Sequence, residues 1–249
     1  MAEHRFLTVS QISALHFFDL SPSSGLRRTQ RVLGRLRGVG VLGTLTRRVG
    51  GTHAGSQGLV HYVAAAGERL LRLESGDRVR QRWHEPSARF AAHHMAVAAL
   101  RIELEQAHRR QVLELVRREV EPAAWRRYAG MGGAVVTVKP DAYFETASAP
   151  GNEFVDAWFI EIDLGHEGIP TLLKKCHEYE RYRRQGIEQE DGGFPLVIWS
   201  MTHTDPAKAV RRRTALHEAI EGDRQLDQGI FRICSPEHVL PLIQKGVTA

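Results

Sequence analysis

Pro22-Ser23-Ser24-Gly25-Leu26-Arg27-Arg28-Thr29-Gln30-Arg31-Val32-Leu33-Gly34-Arg35-Leu36 is the stretch that decides how the first part of this chain folds. Pro22 to Gly25 break the chain and offer N-caps, and Leu26 to Leu36 then carries apolar residues at helical spacing. Leu26, Leu33 and Leu36, with Val32, form a buried stripe. Arg27, Arg28, Arg31 and Arg35 lie mostly away from it. Upstream, Val9 to Leu15 has the apolar spacing of a short helix. Downstream, Gly40 to Val49 and Gly58 to Val63 are strand-like and are joined by the glycine-rich run Gly50 to Gln57, which reads as a hairpin with Arg47 and Arg48 near its tip. Ala64 to Leu73 is a closing helix.

The charge on this stretch points to a partner. No acidic residue occurs between Asp19 and Glu68, whereas Arg27, Arg28, Arg31, Arg35, Arg37, Arg47 and Arg48 all fall there. A solvated face normally mixes signs. A polyanion explains the bias directly, because each arginine that neutralises a phosphate releases counterions. Helix, break, basic helix, hairpin is the order of a winged helix-turn-helix. Residues 1–76 are therefore expected to bind double-stranded DNA, with Arg27, Arg28, Arg31 and Arg35 facing the groove and Arg47 and Arg48 on the wing. The competing reading is a helical bundle with an arginine-rich face and no ligand.

The chain has 249 residues, enough for two domains, with 42% hydrophobic and 25% charged residues and a formal charge of +5. Of its 34 basic residues, lysine supplies only Lys139, Lys174, Lys175, Lys208 and Lys245. Arginine suits bidentate phosphate recognition, although a GC-rich genome produces the same bias. Cys176 and Cys234 form no CxxC pair, which excludes a structural zinc site of the usual spacing. The first residues lack an apolar signal core and no apolar run reaches spanning length, so a cytoplasmic protein with no membrane partner is expected.

The polar residues 77–86 read as a linker to a second domain, 87–249. A helix is expected from Ser87 to about His108. Strands follow at Val112–Val120, Ala134–Thr146 and Phe154–Leu164, then a helix over Pro170–Arg184, a strand over Phe194–Met201, a helix over Pro206–Glu221, a strand over Gly229–Cys234 and a last short helix. This order, αβββαβ with an appended αβ unit, defines an α/β (α+β) sheet flanked by helices. Pro140-Asp141 precedes Glu161-Ile162-Asp163 by about twenty residues. Residues i and i+2 on a strand share a face, so Glu161 and Asp163 point the same way, and Asp141 joins them if the strands are neighbours. Three converging carboxylates need a divalent cation, protons or arginines. Hard oxygen ligands suit Mg2+ or Mn2+, which activate water and stabilise charge on a transferring phosphoryl group.

Pro-Asp on one strand and an acidic triplet on the next resembles the PD-(D/E)xK nuclease superfamily over Ser87 to Met201. Asp163 stands where that superfamily places lysine. Members exist in which the lysine moves to the following helix, and Lys174 and Lys175 are the candidates here. Lys175, Tyr179 and Tyr182 share a helical face. The resemblance implies a restriction-endonuclease-like domain with Asp141, Glu161, Asp163 and Lys175 as catalytic residues, and with Asp141, Glu161, Asp163 and His94 as metal ligands.

The whole chain resembles a narrower group, the replication-relaxation family of bacterial and plasmid proteins. The residues carrying this are Tyr62-Val63 with Ala66 to Leu71, the His94 helix, Lys139 to Glu145, and Phe159 to Gly165 followed by Lys175, Tyr179 and Tyr182. The resemblance implies a role in plasmid or mobile-element replication and DNA relaxation, with a nuclease-like second domain; nicking of DNA with a divalent metal is the expectation that the Pro-Asp and Glu-x-Asp pair adds.

Three alternatives stand beside this. A degenerate nuclease fold would serve DNA or partner binding, its carboxylates held by Arg181, Arg183 or Arg184. A relaxase would use Tyr179 or Tyr182 as nucleophile, but the usual His-x-His metal ligands are missing; those tyrosines otherwise pack on the sheet with their hydroxyls on the acidic cluster. A replication or transcription regulator would use its second domain to form a homodimer. Arg211-Arg212-Arg213 either extends the DNA surface or is a solvated helix face.

Overall fold

The computed structural model describes residues 3–45, 59–75, 87–189 and 192–246. The chain divides into two compact units, Met1–Ile102 and Glu103–Ala249. Arg47, Arg48, the expected hairpin loop and the expected linker lie outside the described residues.

In the first unit, β1 (Phe6–Thr8) leads into α1 (Val9–His16), followed by α2 (Pro22–Gly38), β2 (Leu42–Thr44), β3 (Val60–Val63) and α3 (Ala65–Ser75). Thr8 closes a capping box on α1: its hydroxyl accepts from the Gln11 backbone N–H at 3.2 Å, and the Gln11 side chain accepts from the Thr8 N–H at 3.0 Å. The strands form an antiparallel sheet in the order β1-β3-β2. The short β1 was not expected from the sequence.

α2 begins one turn earlier than expected. Pro22 occupies its first turn after Ser21, where a missing N–H costs nothing, so Pro22 to Gly25 start the helix rather than break the chain. The buried line moves with it to Gly25, Thr29 and Leu33. Leu26, expected in the stripe, is 40% exposed. Small residues lead this line because α1 lies close: a Cβ on Gly25 would stand 3.0 Å from the Ser13 hydroxyl and 3.1 Å from the Phe17 carbonyl.

α4 (Ala88–Arg109) supplies the rest of this unit's core. Ala91 and Met95 pack with Phe6, Leu45 and Val60, and Ala98 packs with Leu7, Ile12, Leu33 and Leu42. The units therefore part between Ile102 and Glu103, later than the boundary expected at residue 87.

The second unit contains β4 (Glu114–Val120), β5 (Arg126–Ala129), β6 (Val135–Val138), β7 (Ala142–Ala147), β8 (Asp156–Asp163), α5 (Ile169–Arg183), β9 (Leu196–Met201), α6 (Pro206–Glu221), β10 (Phe231–Cys234) and α7 (Pro236–Lys245). Five strands form a mixed sheet in the order β10-β9-β8-β7-β4. β4, β7 and β8 pair antiparallel, while β8, β9 and β10 run parallel. With α4 ahead of it, this is the expected order αβββαβ plus αβ, and the fold is mixed α/β. One segment differs. Ala134–Thr146 is not one strand: β6 pairs with β5 in a separate ribbon, and Lys139-Pro140-Asp141 is the corner before β7. Proline lacks the N–H that a continuous ladder would use.

β8 and β9 are the centre of the sheet. Trp158, Phe159, Ile160, Val197 and Ile198 are fully buried, as expected for strands covered on both faces. Among the described residues, no helix is long and apolar enough to cross a membrane.

Gly67 fixes how α3 seats on the first sheet. A Cβ there would stand 2.4 Å from the Val41 carbonyl and 2.7 Å from Val63. Gly67→Ala is expected to destabilise the N-terminal unit by about 1–3 kcal/mol, since the backbone must move. Gly34→Ala, at an exposed helical position with nothing within 4 Å, is expected to stabilise it by about 0.5–1 kcal/mol. Thermal unfolding of both variants checks the pair.

Candidate functional site

The carboxylates gather where β7 begins against β8. The Asp141 N–H donates to the Ile160 carbonyl at 3.0 Å, and Asp141 Oδ2 accepts from the Ile162 N–H at 2.7 Å. These two bonds straddle Glu161 and set Asp141 beside it. Glu161 is 1% exposed and Asp141 7%.

Both oxygens of Glu161 are held from α5. Lys175 Nζ donates to Oε2, and the Tyr179 hydroxyl donates to Oε1. Positions 175 and 179 are one turn apart, so one helix face delivers both donors. Burial pushes the Glu161 carboxyl up to about 8, with Lys175 opposing the shift and Asp141 adding to it. Burial works against a charge on Lys175, but the carboxylates of Glu161 and Asp141 outweigh it and hold the ammonium above its ordinary range. Burial and the Glu161 charge likewise keep the Tyr179 phenol protonated, well above its usual value.

Asp163 does not join this pair. It shares the β8 face with Glu161, but Arg212 of α6 takes it: Nη2 donates to Oδ2 at 2.6 Å and Nε at 3.2 Å. Arg212 Nη2 also donates to the Glu167 carbonyl at 2.8 Å, and Asp163 Oδ1 accepts from the Gly165 N–H at 3.0 Å. Two positions along a strand are about 6.6 Å apart, far enough for each acid to take its own cation. The three carboxylates expected to converge therefore form a pair and a separate ion pair. Among the described residues, no group of three or more His, Cys, Asp or Glu side chains is placed to hold a metal ion.

The remaining candidates separate further. Tyr182 shares the buried face of α5, but its hydroxyl donates to Glu188 at 2.7 Å, away from Glu161. His94 belongs to the N-terminal unit, with its ring against Phe6 and Phe90. Lys174 is exposed. Arg183 and Arg184 do not hold the acidic pair; they bond Glu180 at 2.9 and 2.8 Å. Arg212 and Arg213 are not a free basic face, since Arg213 donates to the Met201 carbonyl at 3.0 Å. Sequence reasoning missed Arg212 as the partner of Asp163. Its only signal was a run of three arginines, which looks the same when solvated.

The N-terminal unit presents a second candidate surface. Arg27, Arg28, Arg31 and Arg35 are all exposed on α2. The line 27, 31, 35 is offset by two residues from the buried line 25, 29, 33, which is about 200° around the helix. Arg27, Arg31 and Arg35 thus face directly away from the core, with Arg28 on the flank.

The chain is thus a mixed α/β protein with one arginine-faced helix and one buried acid pair served by a helical lysine. Residues 1–197 match the replication-relaxation family, and the chain belongs to that family. No curated protein and no solved structure matches it.

Lys175→Met removes the cation over Glu161 and is expected to lower stability by about 2–4 kcal/mol. Adding Glu161→Gln should recover part of that loss, with a coupling of about 1–3 kcal/mol between the two sites. Urea unfolding of the two single variants and the double variant measures it; additive effects would mean that the pair contributes nothing.

Proposed function

We propose that this protein acts on DNA in plasmid or mobile-element replication or relaxation, with a winged-helix N-terminal unit that targets DNA and a PD-(D/E)xK-like C-terminal unit that nicks it. The observation that carries the targeting part is the arginine line of α2, set opposite its buried line within a stretch free of acidic residues. In this reading α2 lies in the major groove, and the arginines contact phosphates and base edges.

In the second unit, Asp141 and Glu161 are the residues that would hold Mg2+ or Mn2+. Magnesium is commonly bound by one or two carboxylates, with water and substrate phosphate completing the shell, so a two-acid site fits it without Asp163 or His94. A divalent ion bound there would neutralise phosphate charge and acidify a water. Lys175 would donate to a phosphate oxygen once released from Glu161. Tyr179 would keep Glu161 oriented, its phenol protonated and therefore a donor rather than a nucleophile. Asp163, bound by Arg212, would brace the end of β8.

A second reading is favoured by one observation: both Glu161 oxygens are already bonded. In it the acid pair is structural, and the protein is a non-catalytic, dimerising regulator of replication or transcription.

Arg27→Ala/Arg31→Ala/Arg35→Ala is expected to weaken duplex binding by about 10- to 1000-fold near 0.1 M salt, and to flatten the salt dependence by roughly one unit of slope for each phosphate that is no longer neutralised. Fluorescence anisotropy across a salt series measures both. Supercoiled plasmid with Mn2+ tests the chemistry. Nicking that disappears in Asp141→Asn and Glu161→Gln supports the nuclease, whereas tight binding without nicking leaves the regulator.

A further inference from the structure

A cavity of about 390 Å3 lies inside the N-terminal unit, apart from the arginine face and from the acid pair. Its walls come from α1, α2, α3 and the sheet: Ile12 of α1, Leu33 and Leu36 of α2, Val63 of β3, and Leu70 and Leu71 of α3. α3 touches the sheet at Gly67, where even a methyl group does not fit. One turn further along the same helix, Leu70 and Leu71 face an open volume. Leu70 lines it and is still 57% exposed, so the cavity communicates with solvent.

The lining defines what would fill it. Among the described residues no Lys, Arg, Asp or Glu contributes to the wall, and its polar side chains are those of His16 and Thr29. The Thr29 hydroxyl at the wall already donates to the Gly25 carbonyl at 2.8 Å. Water, which needs two to four polar partners, finds few along this wall, while an apolar guest would remove its own and the lining's apolar surface from water. An apolar cavity of about 150 Å3 accepts benzene; by proportion this one accommodates about 15 non-hydrogen atoms, and its volume is within the usual range of small-molecule sites.

We infer that the N-terminal unit binds a small, uncharged, largely hydrocarbon molecule between α1, α2, α3 and the sheet. This goes beyond the DNA reading and stands on the cavity alone, so a failure to bind DNA leaves it intact.

The test uses the full chain and the neutral naphthalene dye prodan. Saturable binding with a blue-shifted emission is expected at one dye per chain. Val32→Trp and Leu36→Trp, which fill the space from α2, should each weaken binding by about tenfold or more while keeping a cooperative melt at an equal or higher midpoint. Absence of saturable binding overturns the inference. So does unchanged dye affinity in a filled variant that melts cooperatively. Sedimentation gives a third outcome: a wild-type dimer that dissociates in the filled variants would mean that a second copy of the chain occupies the space, and would overturn it as well.

Discussion

Glu161 places a carboxylate in the middle of a five-stranded sheet, between an antiparallel and a parallel neighbour, with 1% of its surface exposed. An isolated charge there would cost several kcal/mol. The fold meets that cost, and the added repulsion of the neighbouring Asp141, with two donors from one helix face. The arrangement constrains more than the acid. For Lys175 and Tyr179 to reach it, α5 must cross the sheet with that face inward. The same rotation buries Leu172, Cys176 and Tyr182. Packing and electrostatics therefore select one orientation of α5, while the bonds of Asp141 to Ile160 and Ile162 hold the start of β7 in register on β8.

Much of this was legible because it is local. The spacing of Lys175 and Tyr179 is a helical turn, and Glu161 and Asp163 are two strand positions apart. The order of strands and helices follows from apolar runs broken by turn residues. Asp141 was legible as a companion of Glu161 once neighbouring strands were assumed. The partner of Asp163 was not. Arg212 lies 49 positions away, and no local pattern says which of three consecutive arginines turns inward. The β5–β6 ribbon was also hidden, since Arg126-Arg127 carries charge where a strand pattern would be sought. Arg126 is nonetheless nearly buried, bridging Glu119 and Glu188 at 2.9 and 2.8 Å.

The N-terminal unit reads differently because its geometry depends on what is missing from side chains. Apolar counting found Leu33 and Leu36 but chose Leu26 over Gly25 and Thr29. A stripe defined by hydrophobicity overlooks small residues, yet these allow α1 to approach α2. The arginine line is exposed all the same, because 27, 31 and 35 are each two positions from the buried 25, 29 and 33. Charge segregation on α2 was thus more secure than its core face: it needs only the helical period, whereas the buried face also depends on where the helix starts.

The acid cluster shows how a cation can leave a strand motif without leaving the site. A lysine two positions after Glu161 on β8 would share its face and neutralise it from the same strand. Here that position is Asp163, a further negative charge, and both cations come from helices: Lys175 from α5 to Glu161, Arg212 from α6 to Asp163. The strand now carries only acids, so its charge balance depends on two helices docking correctly. Loosening α5 would expose Glu161 to a loss of its cation, and loosening α6 would do the same to Asp163. Each acid consequently reports on a different helix, and the integrity of the site and of the packed fold become the same physical condition.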